Sequence, residues 1–242
     1  MKDKIEKAIR NNNGLYEAIF ENHNIKHHQT GSIWYSLEKT LPLYSNLVTA
    51  SKHWRPDEIF NSIALNYEQE KWDKWSIKDS FAVLDLSGYG FTRLFDAQWI
   101  YLKPADFIRS GEGKKLSYEI VKTEAALSRW RLAWDADEEL GKEIFDARLL
   151  DDRRVWFVAG YNDKEIVSGC FVNKTDDVLG LSNFFTPDEG VNHWSEMIGF
   201  IFDSIERSDI VGYERKELVA ELQSLGFEAT GNLTVWLKKR DS

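Results

Sequence analysis

Two periods govern the hydrophobic pattern of this chain. The opening stretch "MKDKIEKAIRNNNG" is polar with a helical pattern and predicts a helix over roughly 2–22, followed by one strand, "SIWYSLEK". An apolar strand, "TLPLYSNLVT", comes next, and Phe60, Ile63, Ala64 and Tyr67 then recur at helical spacing. A short strand "DKWSIKD", a second helix "SFAVLDLSG" and a long strand "FTRLFDAQWIYLK" follow. After the polar stretch "RSGEGKKLS", residues 109–117, the series is repeated with more elements in front of it. A strand and helices ("LSYEIVKTEAALSRWRLAW", "EELGKEIFDARLL") lead into the meander "VWFVAGYNDKEIVSGCFVNKTDDVLGLSNFF", with turns at Asn162-Asp163 and Lys174–Asp177. Then come a helix marked by Met197, Phe200, Ile201 and Ile205, the strand "DIVGYE", the helix "RKELVAELQSL" and the strand "ATGNLTVWLKK". Strand–helix–strand order predicts a βαβ crossover, so the fold class is α/β with a mixed sheet.

The series is also a repeat in its residues. Ser45-Asn46 and Thr49 recur 137 positions later as Ser182-Asn183 and Thr186, Gly90-Phe91 recurs 136 later as Gly226-Phe227, and Trp99 recurs 137 later as Trp236. Val83, Asp85 and Leu86 meet Val219, Glu221 and Leu222 at an offset of 136. A spacing held to within a residue across several elements is the mark of duplication. The expected organisation is an abbreviated unit over 1–108, a linker over 109–117, and a complete unit over 117–242. Each Gly-Phe follows a helix, where glycine takes positive φ at a helix stop.

Composition narrows the function. The 242 residues carry a formal charge of −9 with no run of Lys or Arg, which argues against nucleic acid as a partner. Hydrophobic residues make up 43%, with ten Trp and fourteen Phe to fill a core. A single cysteine, Cys170, excludes an internal disulfide and fits a reducing compartment. The N-terminus lacks the apolar core of a signal peptide, and no run reaches the ~18 apolar residues of a membrane span, so the expected location is cytoplasmic, with no membrane partner.

The hairpin "FVAGYNDKEIVSGCFV", the strand "GLSNFF" and the terminal "LQSLGFEATGNLTVW" together resemble the GCN5-related N-acetyltransferase (GNAT) superfamily. The likeness covers 117–242, and 1–108 is similar to the abbreviated copy of tandem GNAT proteins. The resemblance implies acetyl-CoA as co-substrate, an amine acceptor, and no metal. It implies pantetheine along Asn183, Phe184 and Phe185, with Thr186 at the strand end, and phosphates near Gly190, Val191 and Asn192 at a helix start. The family's loop there has an Arg or Gln and two close glycines, whereas this loop reads "TPDEGVNHW". The family's Tyr, four residues before the glycine of "LGF", is Leu222 here and Leu86 in the first series.

Acyl transfer on this fold needs no nucleophilic side chain; the amine attacks the thioester, and a base and an acid move protons. The candidates are Ser182 and Asn183 on one central strand, and Tyr213 and Glu214 on the other. Glu214 would serve as base or amine ligand, and Tyr213 would protonate the departing thiolate. The structural alternatives are that Asn183 ties backbone together, as its recurrence as Asn46 favours, and that Tyr213 fills the core. "TPDE" also reads as a capped helix start, with Thr186 as N-cap, Pro187 at N1 and Glu189 closing a capping box, beside a phosphate cradle that its carboxylates would weaken. The longer first loop, "ASKHWRPDE", offers Lys52, His53 and Arg55 as a competing anion site.

His23, His27 and His28 have one i, i+4 spacing but no carboxylate in register, and read as solvated rather than metal-binding. Trp130 and Trp134 read as helix core. The leading function is an acyltransferase moving an acetyl or acyl group from acyl-CoA to an amine. The alternatives are a GNAT-fold ligand-binding or regulatory module without chemistry, and a partner-binding scaffold. The chain would be a monomer with an internal pseudo-dimer, or a homodimer.

Overall fold

Helix α1 (Lys2–Asn22) places Ile5, Ala8, Ile9, Tyr16, Ile19 and Phe20 on one buried face and lies along the sheet that the rest of the chain builds. Midway along it, Gly14 lets the helix descend onto the sheet: a Cβ there would stand 2.0 Å from Thr175 Oγ1. The computed structural model describes residues 2–53, 59, 61, 74–110, 116–186 and 191–239.

The first series contributes β1 (His28–Gln29), β2 (Ile33–Tyr35), β3 (Leu47–Thr49), β4 (Lys74–Asp79) and β5 (Thr92–Leu102). The second contributes β6 (Ser117–Ile120), α2 (Glu124–Trp134), α3 (Glu138–Ile144), β7 (Val155–Asn162), β8 (Glu165–Thr175) and β9 (Val178–Phe185). It closes with α4 (Val191–Ser204), β10 (Asp209–Glu214), α5 (Lys216–Leu222) and β11 (Glu228–Lys239). The expected meander turns stand as drawn, between β7 and β8 and between β8 and β9.

Two sequence readings differ. "SFAVLDLSG" is not a helix but a turn ending in a short 3-10 segment, Ser87–Tyr89. The cause is Asp79, whose buried carboxylate accepts the N–H groups of Phe81, Val83 and Leu84 and folds the backbone around itself. "TLPLYSNLVT" forms strand only at Leu47–Thr49. The helix marked by Phe60, Ile63, Ala64 and Tyr67 falls outside the described residues. So does most of the linker, whose start is tied down where Ser110 N–H donates to Ser195 Oγ at 2.8 Å.

The eleven strands of the described residues join one sheet in the order β1-β2-β3-β4-β11-β5-β10-β9-β8-β7-β6. The two long closing strands have changed places. β11 pairs with β4, from Thr234↔Asp79 to Lys239↔Lys74, and β5 pairs with β10, from Ile210↔Leu102 to Glu214↔Gln98. The two exchanged strands also pair with each other. In both clamps the recurring tryptophan lies opposite the short strand, Trp236↔Ile77 and Trp99↔Tyr213, so the two clamps are built alike.

Helices α1, α2 and α3 cover one face, where Trp130 meets Phe145, Phe157 and Phe185 edge-on. Helices α4 and α5 cover the other over Val172, Leu179, Ile198, Ile201 and Leu222. The stop after α5 is Gly226 at φ +96, as expected, and Gly90 ends the matching segment at φ +78. No described helix is long and apolar enough to cross a membrane.

Candidate active site

Strands β9 and β10 run parallel and in register only from Asp209↔Val178 to Val211↔Gly180. At the next step Gly212 passes under the Leu181 carbonyl, 2.9 Å from where a Cβ would be. Beyond it the strands separate because β9 carries an extra residue. Its pairing with β8 jumps from Phe171↔Ser182 to Gly169↔Phe185, and Asn183 takes φ +52 within the jump. A bulge of this kind bends its strand. The edge of β9 from Ser182 to Phe185 is thereby left without strand pairing on its β10 side.

The candidate residues fall around this split. Ser182 Oγ donates to the Phe171 carbonyl at 3.5 Å and receives Asn183 Nδ2 at 3.2 Å. Phe184 stacks on Trp194 of α4, ring centres 4.0 Å apart, while Phe185 turns to the opposite face against Trp130. Thr186 Oγ1 is buried without a hydrogen-bond partner, so its side chain does not cap the following helix. Pro187, Asp188, Glu189 and Gly190 lie outside the described residues, while Val191 and Asn192 open the first turn of α4.

On β10, Tyr213 sides with Val211 on the α1 face, and Glu214 follows on the other by strand alternation. Burial pushes the Glu214 carboxyl up to about 7, against the pull of the Arg215 N–H and charge. A carboxyl poised there accepts a proton near neutral pH. No hydrogen bond joins Ser182 or Asn183 to Tyr213 or Glu214 among the described residues, so the split is bounded by the four and not bridged by them.

A residue that the sequence did not single out stands behind Tyr213. Lys78 of β4 is 2% exposed, and its Nζ donates to Asn12 Oδ1 at 2.8 Å and to Tyr213 Oη at 3.3 Å. The same ammonium lies over the rings of Tyr213 and Tyr16, at 4.4 and 5.0 Å. Only its alternation with Ser76 on one face of "KWSIKD" was available as a signal.

The corresponding strands β3 and β4 do not separate. Asn46 N–H donates to the Ser76 carbonyl at 2.9 Å, and Asn46 Oδ1 accepts Ser76 N–H at 3.0 Å. Further on, Thr49 Oγ1 meets Asp79 Oδ1 at 3.4 Å and accepts the Ser80 N–H at 2.8 Å. Asn46 is thus the backbone tie the sequence favoured for Asn183, and Asn183 is a bulge residue instead. The strand pairings show the difference: β3 and β4 stay in register at Leu47↔Ile77 and Val48↔Lys78, whereas β9 bulges at Asn183.

Other candidates do not gather into sites. His23 Nε2 lies 3.0 Å from the Ile144 carbonyl oxygen, His27 stacks on Trp34 and His28 on Tyr35. Among the described residues no group of three or more His, Cys, Asp or Glu stands close enough to hold a metal. Lys52 and His53 are exposed and Arg55 is outside the described residues. Cys170 is buried, and burial raises its thiol well above the ordinary range, so it stays a thiol.

Solved structures share this arrangement of strands and helices. A GCN5-related N-acetyltransferase from Kribbella flavida matches with a TM-score of 0.68 at 11% identity, over 97% of this chain and 96% of that one. The fold is that of the GCN5-related N-acetyltransferases. A functionally unknown conserved protein from Staphylococcus epidermidis matches equally well, with a TM-score of 0.68 at 12% identity over 92% of this chain and 98% of that one. A tandem GNAT protein from the clavulanic acid biosynthesis pathway matches with a TM-score of 0.55 at 12% identity, over 81% and 74%. No family model matches the chain, and no curated protein does.

The chain's own residues fit the pantetheine part of an acyl-CoA. The unpaired edge of β9 offers backbone donors and acceptors, and the orphaned Thr186 Oγ1 sits at its end, before α4. The position of the family's Tyr is Leu222, fully buried in the α4–α5 core, so no acid stands there.

Proposed function

We propose that this chain is an N-acyltransferase that takes an acyl group from acyl-CoA in the split between β9 and β10 and passes it to an amine. The observation that carries this reading is the split itself, open between β9 and β10 with Glu214 poised near neutral pH, and closed between β3 and β4 by Thr49 and Asp79. Acyl-CoA bound there would supply an acyl thioester. Ser182–Phe185 would hold it through backbone groups, and the start of α4 would face its phosphates. Glu214 would take a proton from the amine at its carboxylate, and Tyr213 Oη would give one to the departing sulfur. Net charge of −9 favours a cationic amine.

Residues 1–108 and 117–242 would be two related units, a division supported by the sequence offset and by the matched clamps of β11 on β4 and β5 on β10. The second unit would bind and react, and the first would complete its sheet.

A second reading, a GNAT-fold binding module without chemistry, is favoured by Leu222 and by the acidic "TPDEG". Calorimetric titration with CoA and acetyl-CoA, followed by thiol release from acetyl-CoA with a panel of primary amines, separates the two. Binding with turnover supports the enzyme, binding without turnover the module. Absence of binding overturns both.

A further inference from the structure

Lys78 is a buried charged group of the first series that reaches Tyr213 beside the split of the second. Its surroundings, from every element around it, are neutral: Asn12 and Tyr16 from α1, Tyr213 from β10, and Tyr44 close behind the two tyrosines. No carboxylate pairs with it among the described residues. Burying an ammonium without a counter-ion is costly, and a core of this density could have used Met or Leu at the same position. The side chain is held in one orientation by Asn12 Oδ1 and directed at the Tyr213 hydroxyl. Tyr213 is partly exposed and stands two residues past the last registered pair of β9 and β10, and its hydroxyl is backed by a dry ammonium.

We infer that Lys78 is a positioning residue for Tyr213, orienting its hydroxyl toward the split and stabilising the phenolate formed when that hydroxyl gives up its proton. The inference rests on the proposed acyl transfer. In that reaction the amine nitrogen bonds to the acyl carbon, and the carbon–sulfur bond breaks with its electron pair moving to sulfur. The sulfur takes the Tyr213 proton and leaves as a thiol. The proton lost by the amine goes to Glu214 and from there to water, and water returns one to the Tyr213 oxygen. Nζ stays an ammonium throughout. At 3.3 Å from the phenolate oxygen in a dry setting it is placed to stabilise the charge that develops there and not the ground state. The family's usual tyrosine position is occupied here by the buried Leu222. Here the acid would instead be assembled from both series of the chain, which gives the exchange of β5 and β11 a catalytic consequence.

The test has a binding, a spectroscopic and a kinetic arm. Lys78→Met should leave CoA affinity within about twofold by calorimetry and the acetyl-CoA KM similarly unchanged, while lowering kcat for thiol release ~100-fold, the scale of one lost acid. Tyr213→Phe should cost the same, and the double variant no more than either single one, because the two act as one unit. If Lys78→Met does not fold, Asn12→Asp draws the ammonium away with little change of volume and should lower kcat in the same way. Independently of turnover, nitrogen NMR of the Lys78 ammonium should show its titration moving to lower pH in Tyr213→Phe, since the Tyr213 hydroxyl is one of the groups that raises it. Additive losses in the double variant, or an ammonium signal indifferent to Tyr213→Phe, overturn the inference while leaving the acyltransferase reading standing. Wild-type protein that binds no CoA removes both.

Discussion

Thr49 Oγ1 and Asp79 Oδ1 meet at 3.4 Å and hold β3 against β4 at the level where β9 and β10 part. β4 ends in Asp79 and β10 in Glu214, so each strand end carries a carboxylate, the first bound by backbone N–H groups and the second raised by burial. The first closes a sheet, and the second is free to titrate.

Asp79→Ala should destabilise the protein by about 3 kcal/mol or more, because it orphans the N–H groups of Phe81, Val83 and Leu84 in a buried turn. Urea unfolding measures this. CoA affinity of the folded fraction should not change, since the turn is remote from β9.

Glu214 governs a pH dependence. In the unfolded chain it titrates near 4.5 and in the folded one near 7, so between those values the folded state binds a proton the unfolded state lacks. Stability should therefore fall as pH rises through that window, and Glu214→Gln should flatten the fall, read as urea midpoints from pH 5 to 8. The thiol-release rate should move oppositely, rising to a plateau above pH 7 in the wild type and losing that rise in the variant.

Gly226→Val should cost about 3 kcal/mol or more. At φ +96 a β-branched residue is strained, and its Cβ would come within 2.0 Å of the Asp106 carbonyl oxygen, which is backbone and cannot turn away. The urea midpoint should drop with no change in CoA affinity per folded molecule.

Gly14→Ala inverts the usual helix rule. Alanine is favoured over glycine mid-helix by about 1 kcal/mol. Here its methyl would meet Thr175 Oγ1 at 2.0 Å and both carbons of that side chain at 3.0 Å, so rotation alone does not clear the space. Net destabilisation by thermal melting is the expected sign, and stabilisation would show that α1 can lift from β8.

Local signals in the sequence were sufficient where the structure is local. The span of α1, the turns at Asn162-Asp163 and Lys174–Asp177, and the glycine stop at Gly226 each depend on neighbours a few residues away. The failures share a cause in long-range contacts. "SFAVLDLSG" has apolar residues at helical spacing, but one buried carboxylate at Asp79 takes three of its backbone donors for a turn. The recurrence of Ser-Asn did not reveal that Asn46 bonds the backbone of Ser76 while Asn183 sits in a bulge of β9. Tyr213 and Glu214 end β10 and Ser182 lies within β9, an order that the βαβ pattern alone defines. Lys78 was invisible because nothing in "KWSIKD" tells that its strand lies within reach of β10.

The traded places of β5 and β11 also set a timetable for synthesis. When the ribosome has finished β4, the strand that will cover its open edge lies some 150 residues downstream, since Asp79 awaits Thr234. Until then β4 presents bare N–H and C=O groups, the template on which chains stick to one another. β5 likewise emerges long before β10 and β11, between which it will lie. The sheet can therefore close only late, in a step that joins distant segments at once, and such closure is slow. A nascent chain arrested after residue 110 should bind chaperones and aggregate, rather than wait as a finished half.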